Sequence, residues 1–241
     1  GVLKDDKQAV KWYRKAADQG NALAQFNLGF MYENGRGVLK DDKEALKWYR
    51  KAADQGNADA QLFLGLMYDN GEGVLKDYKQ AVKWYRKAAD QGNALAQFSL
   101  GLRYANGEGV PKDAKQAVKW YQKAADQGDV DAQYFLGFMY DNGEGVLKDY
   151  KQAVKWYQKA ADQGAANAQF NLATMYGKGD GVLQDDKEAV RWYRKAAEQG
   201  YAEAQHNLAT MYRTGRGVLK DDKEAVKWYQ KAADQGAANA Q

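Results

Sequence analysis

Apolar residues along this chain recur in two helical rhythms, and the pair of rhythms returns every 36 residues. With Asn21 as position 1 of a unit, positions 2 to 14 predict a first helix, of which Ala22–Asn34 is the first complete example. Set 100° apart, Ala24, Gln25, Leu28, Gly29 and Tyr32 share one arc of that helix. Those positions hold the same or nearly the same residue in all six complete units. Positions 3, 6, 7, 10, 13 and 14 change from copy to copy and fill the opposite arc. The constant arc is therefore expected to pack, with Gly29 allowing a neighbouring helix to approach closely. The variable arc is expected to be free of internal constraint.

The second rhythm starts at Asp41. An Asp-x-x-Glu/Gln pattern recurs there in every complete unit and predicts a capping box with aspartate in the serine role. Ala45, Trp48, Tyr49, Ala52 and Ala53 form its apolar stripe, and Lys43, Lys47 and Lys51 are expected to face water. Between the helices, Asn34-Gly35-Arg36-Gly37-Val38 supplies glycines suited to positive φ. Pro111 replaces the usual leucine just before a second helix, where proline is tolerated. Gln55-Gly56 closes the unit in a turn short enough to force antiparallel neighbours.

The chain divides into a half unit at 1–20, six full units at 21–56, 57–92, 93–128, 129–164, 165–200 and 201–236, and the start of another at 237–241. No linker or change of composition interrupts it, so a single domain is expected. Units two and four both carry phenylalanine at position 7 (Phe63, Phe135) and tyrosine at position 22 (Tyr78, Tyr150), suggesting duplication of unit pairs. All seven tryptophans occupy the same position of the period. One helix pair cannot cover its own stripes, so each Trp-Tyr face must pack on neighbours. Truncating an interior ring such as Trp120 to alanine is expected to cost ~3–5 kcal/mol and to weaken cooperativity along the array.

The run Ala24, Leu28, Gly29, Tyr32, Gly35, Gly37, Val38, Asp41, Ala45, Trp48, Tyr49, Ala52, Ala53, Gly56 resembles the Sel1-like repeat, and its copies cover essentially the whole chain. Ala173 and Ala209 depart from the pattern by replacing the glycine, which is expected to alter local helix spacing slightly. The resemblance implies an all-α, right-handed α-solenoid of helix-turn-helix repeats related to tetratricopeptide repeats, with the first helices lining the concave surface. It also implies an adaptor or scaffold for other proteins.

Composition adds mainly exclusions. A net charge of +4 from 36 basic and 32 acidic side chains is not the footprint of a nucleic-acid binder. The lysine columns of the second helices alternate with acids and read as a solvated face. No cysteine is present, so disulfides and thiolate metal sites are excluded. No apolar run approaches the ~20 residues a membrane span needs, and membrane insertion is not expected. No signal peptide is visible, although the sequence opens inside a unit. Ser99 is the sole serine and His206 the sole histidine, three units apart, and no Ser-x-x-Lys occurs. The recurring Gly-x-Gly reads as a loop turn and not as a phosphate cradle. No catalytic residue, cofactor or metal is expected; His206 has no second ligand.

The variable arc is the candidate site. It carries Leu23, Phe26, Asn27, Phe30 and Asn34 in unit one, and Leu62, Phe63, Leu66 and Asn70 in unit two. Unit three adds Leu95, Phe98, Leu102, Arg103 and Asn106, and unit four Tyr134, Phe135, Phe138 and Asn142. Units five and six turn polar, with Asn167, Asn171, Thr174, His206, Asn207 and Thr210. This pattern predicts a concave surface that takes an apolar peptide or helix in its first four units and makes polar contacts in the last two. The position-14 asparagines are expected to bond a peptide backbone. Arg103, where other units have methionine, either snorkels or meets an acid. Two alternatives stay open. Position 6 is partly buried and the strip less apolar than it reads, or the chain is a self-assembling or engineered array associating through its ends.

Overall fold

The computed structural model describes residues 2–239. Among these, thirteen helices and no strands are found. In chain order they are α1 (Val2–Asp18), α2 (Ala22–Asn34), α3 (Asp42–Asp54), α4 (Ala58–Asn70), α5 (Tyr78–Asp90), α6 (Ala94–Asn106), α7 (Ala114–Asp126), α8 (Val130–Asn142), α9 (Tyr150–Asp162), α10 (Ala166–Lys178), α11 (Asp186–Glu198), α12 (Ala202–Thr214) and α13 (Asp222–Asn239). Even-numbered helices are the first and odd-numbered helices the second of each 36-residue repeat, giving the predicted α-solenoid fold class. The chain forms two compact units, one ending at Ala124 and the other beginning at Ala125, each with its own core.

Local chemistry sets the boundaries. Asn21 accepts a hydrogen bond from the Ala24 amide at 2.8 Å, capping α2, and Gly35 ends it in the left-handed region at φ 65°. Ala165 and Tyr201 make no such side-chain cap on α10 and α12. Gly37 meets two demands at once. Its φ is 70°, and a Cβ there would lie 2.5 Å from the Asp6 carbonyl oxygen of the preceding second helix.

The second helices from α3 onward are capped by aspartate: Asp41 accepts from the Lys43 and Glu44 amides, both at 3.0 Å. The reciprocal half of the predicted capping box is not formed. The Asp41 amide donates instead to the Tyr32 carbonyl at 3.0 Å, and Glu44 pairs with Lys47. That backbone bond ties loop to first helix, and its equivalent recurs from Asp77 to Tyr68 and from Asp149 to Tyr140.

The ends depart from the periodic expectation. α1 reaches back to Val2, through residues that form the loop in a complete unit. α13 runs unbroken through Gly236 to Asn239, so the unit expected to start at 237 does not begin a separate helix. Elsewhere the turn is fixed by bonds such as the Asn57 amide to the Ala52 carbonyl, and by the first helix that follows. Residues 240 and 241 of that expected unit lie outside the described residues.

Buried tryptophans pack backward. Trp48 belongs to a cluster with Val10, Ala17 and Leu28, from the helices before it, whereas Trp12 is 67% exposed. The lysines expected to face water are exposed, but not all are idle. The Lys51 ammonium lies 4.1 Å from the Trp48 ring centroid, and Lys87, Lys159 and Lys195 repeat the contact on Trp84, Trp156 and Trp192. The Trp120 ring is 7% exposed within the core of the first unit. Trp120→Ala is therefore expected to lower unfolding free energy by ~3–5 kcal/mol, while Trp12→Ala costs less than ~1 kcal/mol. Urea titrations of the two variants check the contrast; equal losses would contradict backward packing.

Candidate interaction surface

The first helices have a face committed to their own repeat. Gly29 in α2 lies under the Tyr49 ring of α3, where a Cβ would come within 2.8 Å of Cδ1. Gly65, Gly101 and Gly137 stand in the same relation to Tyr85, Tyr121 and Tyr157. The buried hydroxyls need partners, and in repeats one, two and four an acid at position 13 (Glu33, Asp69, Asp141) supplies one; repeat three has Ala105 there. Tyr49 donates to Glu33 at 2.7 Å and Tyr85 to Asp69 at 3.0 Å. Burial pushes these tyrosines well above the usual range, so they remain protonated donors; burial likewise raises the Glu33 carboxyl.

Repeats five and six solve the same problem differently. Ala173 and Ala209 occupy the glycine position, Tyr193 is 7% exposed where Tyr49 and Tyr85 are wholly buried, and no acid stands at position 13. The tyrosine hydroxyls pair with threonine at position 10: Tyr193 with Thr174 and Tyr229 with Thr210, both at 2.9 Å. The expected change in local packing is thus a moved ring with a new hydroxyl partner. Thr174 and Thr210 also donate to the carbonyls of Phe170 and His206. They were expected to contact a partner; their hydroxyls are engaged inside the repeat.

A second internal feature escaped the sequence reading. Gln25 is 5% exposed, donates to the Ala17 carbonyl at 3.1 Å and accepts from Gln55 at 2.7 Å. Gln61 with Ala53 and Gln91 repeats this, as do Gln133, Gln169 and Gln205 in the second unit. The buried amide thereby ties each first helix to the second helix on either side of it in sequence. Its invariance was the available signal, but its partners lie 8 and 30 residues away.

What remains is the outward arc. In the first unit Leu23 and Leu95 are 61% and 46% exposed, and Asn27, Phe30, Leu66 and Leu102 are half-buried. Phe26 is half-buried, its ring 5.6 Å from Tyr49 and 5.5 Å from Phe63; Phe63 in turn stacks on Tyr49 and Phe30. Phe98 packs on Tyr121 in the same way. Position 6 is thus partly internal in every repeat where these rings pair. Leu62 is a correction: at 4% exposure it belongs to the core cluster, against which Phe26, Phe30 and Phe63 pack, and it offers nothing to a partner. Arg103 meets acids, bonding Asp69 at 3.0 Å and Glu108 at 2.6 Å, with its guanidinium 5.3 Å from the Tyr78 ring centroid.

In the second unit Phe138 is 37% exposed, while Tyr134 and Phe135 are half-buried with ring centroids 5.3 Å apart. Asn171 is half-buried, and its amide lowers the otherwise raised pKa of the Tyr134 and Tyr157 hydroxyls beside it. Asn207, one repeat on, follows a repeat with Phe170 in place of Tyr134 and with the Tyr193 hydroxyl turned to Thr174. Its half-buried amide lines an open cleft with Thr174, Thr210 and Arg216. His206 is exposed, with its ring 5.3 Å from Tyr229. The position-14 amides have local duties: Asn34 and Asn142 donate to the carbonyls of Phe30 and Phe138, and Asn70 and Asn106 reach Glu72 and Glu108. Among the described residues, no three His, Asp or Glu side chains are grouped as metal ligands, and no helix is long and apolar enough to cross a membrane.

The model of the Sel1 repeat matches residues 1–21, 22–57, 58–93, 94–129, 130–164, 166–201 and 202–236. No curated protein matches the sequence. Among solved structures, a protective antigen of uropathogenic Escherichia coli strains, described as displaying an SLR fold, is 42% identical with a TM-score of 0.92. That match covers 94% of this chain and 49% of the antigen, so the chain spans about half of its length. A Sel1 repeat protein of Oxalobacter formigenes is 39% identical at TM-score 0.82, covering 95% of this chain and 92% of its own. An immunity protein of Pseudomonas aeruginosa, 23% identical at TM-score 0.52 over 90% of this chain and 82% of its own, shares the fold alone.

The tyrosine-on-glycine contact makes a specific prediction. Gly65→Ala, normally favourable in a helix by ~0.5–1 kcal/mol, is expected to destabilise by ~1–3 kcal/mol because the Tyr85 ring must move. Adding Leu66→Thr supplies the hydroxyl partner used in repeats five and six and should recover part of the loss. Thermal unfolding of the single and double variants tests it, and a stabilised single variant would contradict the account.

Proposed function

The chain belongs to the Sel1 repeat family, and on that premise we propose that it is a non-enzymatic scaffold holding a peptide or protein segment against the outward arc of its first helices. Repeats of this kind generally mediate protein–protein interaction. One observation carries the proposal to this surface. Most residues that build the internal contacts are the same or nearly the same in every repeat, while the accessible ones on the first helices differ. Accessible apolar side chains such as Leu23, Phe30, Leu66 and Phe138 sit among rings already fixed from behind by Tyr49, Phe63 and their equivalents. Such a surface loses little side-chain freedom on binding, which favours affinity. In the second unit the Asn207 cleft supplies an amide able to meet a partner's backbone.

A second reading, an array of copies associating through the outermost helices, draws on the exposure of Trp12 (67%) and Val226 (66%). A mass that stays monomeric across a concentration series removes it. Phe30→Gln, Leu66→Gln and Phe138→Gln combined should leave the helical circular-dichroism signal intact and abolish retention of proteins captured by the unmodified chain. Unchanged capture by the triple variant would sink the first-helix reading.

A further inference from the structure

The exposed face of the second helices carries charge that the proposed scaffold role does not use. Residues 1–124, the first compact unit, hold 21 basic and 15 acidic side chains; residues 125–241 hold 15 and 17. Much of the excess lies in three consecutive copies of one cation set. α1 has Lys7, Lys11, Arg14 and Lys15; α3 has Lys43, Lys47, Arg50 and Lys51; α5 has Lys79, Lys83, Arg86 and Lys87. All twelve are exposed. On α3 and α5 the set lines an open trough with an apolar floor, formed by Leu46 and Val74 in one and by Val82 and Val110 in the other. Each trough has one acid on its wall, Asp54 or Asp90.

These cations are not free-swinging. Arg14, Arg50 and Arg86 each donate to the hydroxyl of a tyrosine in the following first helix, Tyr32, Tyr68 and Tyr104, with the guanidinium 5.8 Å from the ring centroid. Lys51 and Lys87 rest over Trp48 and Trp84 at 4.1 Å. Ring contacts of this kind reduce the conformational freedom that an anionic ligand would otherwise have to remove. The same chain contains an internal contrast, since α7, α9 and α13 have Gln122, Gln158 and Gln230 in the arginine position, whereas α11 repeats the set once, singly, with Arg194 on Tyr212.

We propose that the exposed face of α1, α3 and α5 docks an acidic polypeptide segment in which carboxylates alternate with apolar side chains. Cations flanking an aliphatic floor match that alternation, with the carboxylates on the arginines and lysines and the apolar side chains on the half-buried Leu46, Val74 and Val110. A phosphodiester backbone, charged at every step, would meet Asp54 and Asp90 and gains nothing from the aliphatic floor. Binding here uses the opposite helix of each repeat from the scaffold surface, so the two are separable.

The test uses the full chain and a fluorescent peptide of alternating glutamate and leucine, followed by anisotropy. Arg14→Gln, Arg50→Gln and Arg86→Gln are combined; the other repeats show that glutamine is compatible with the fold. The peptide is expected to bind the unmodified chain, to weaken by about tenfold or more in the triple glutamine variant, and to weaken with added salt. The combined Phe30→Gln, Leu66→Gln and Phe138→Gln variant should bind it unchanged, which separates this surface from the first-helix face. No binding, equal binding by the arginine-to-glutamine variant, or tighter arginine-dependent binding of a single-stranded oligoribonucleotide or of phosphatidylserine vesicles would overturn the proposal.

Discussion

The helix pair of repeats one to four depends on a tyrosine ring lying against a helix where glycine leaves no side chain beneath it. Tyr49 on Gly29, with its copies, sets how closely the two helices of a repeat approach. Because the ring is enclosed, its hydroxyl must be bonded, and the residue that bonds it is drawn from the first helix. In three of the four repeats with glycine at this position, an acid at position 13 does this, as Glu33 and Asp69 show. Where alanine lifts the ring, a threonine at position 10 takes over, as Thr174 and Thr210 show. The polar turn of the last two repeats is in part a consequence of this packing, and not a direct record of what they bind.

That dependence explains how far the sequence could be read. First-helix bounds were legible because their signals are local: Asn21 caps the start of α2 and Gly35 can adopt the left-handed φ that ends it. The constant arc of α2 was legible because identical packing problems call for identical residues. What was not legible depends on partners distant along the chain. Gln25 was seen to be constant, yet its bonds to Ala17 and Gln55 exist only once three helices are assembled. The capping box failed in its second half because the Asp41 amide is taken by a carbonyl of the previous helix. Leu62 was assigned to the outward arc by angle alone, but angle does not report which rings close over a short side chain.

The repeat thus assigns separate tasks to its two helices. First helices turn constant small and amide residues inward and variable ones outward. Second helices bury tryptophan and tyrosine and present cations on their other side, some of them fixed by aromatic rings. Membership of the Sel1 repeat family accounts for the first division. The concentration of positive charge in residues 1–124 is a property of this chain's own residues.

The central claim is that a partner covers the outward arc of the first helices, and side-chain oxidation footprinting of a captured complex tests it most directly. Leu23, Phe30, Leu95 and Phe138 should lose reactivity on binding, whereas the loop leucines Leu39, Leu75 and Leu147, about 90% exposed, should keep it. Protection of the loop leucines with undiminished oxidation of Phe30 and Phe138 would contradict it.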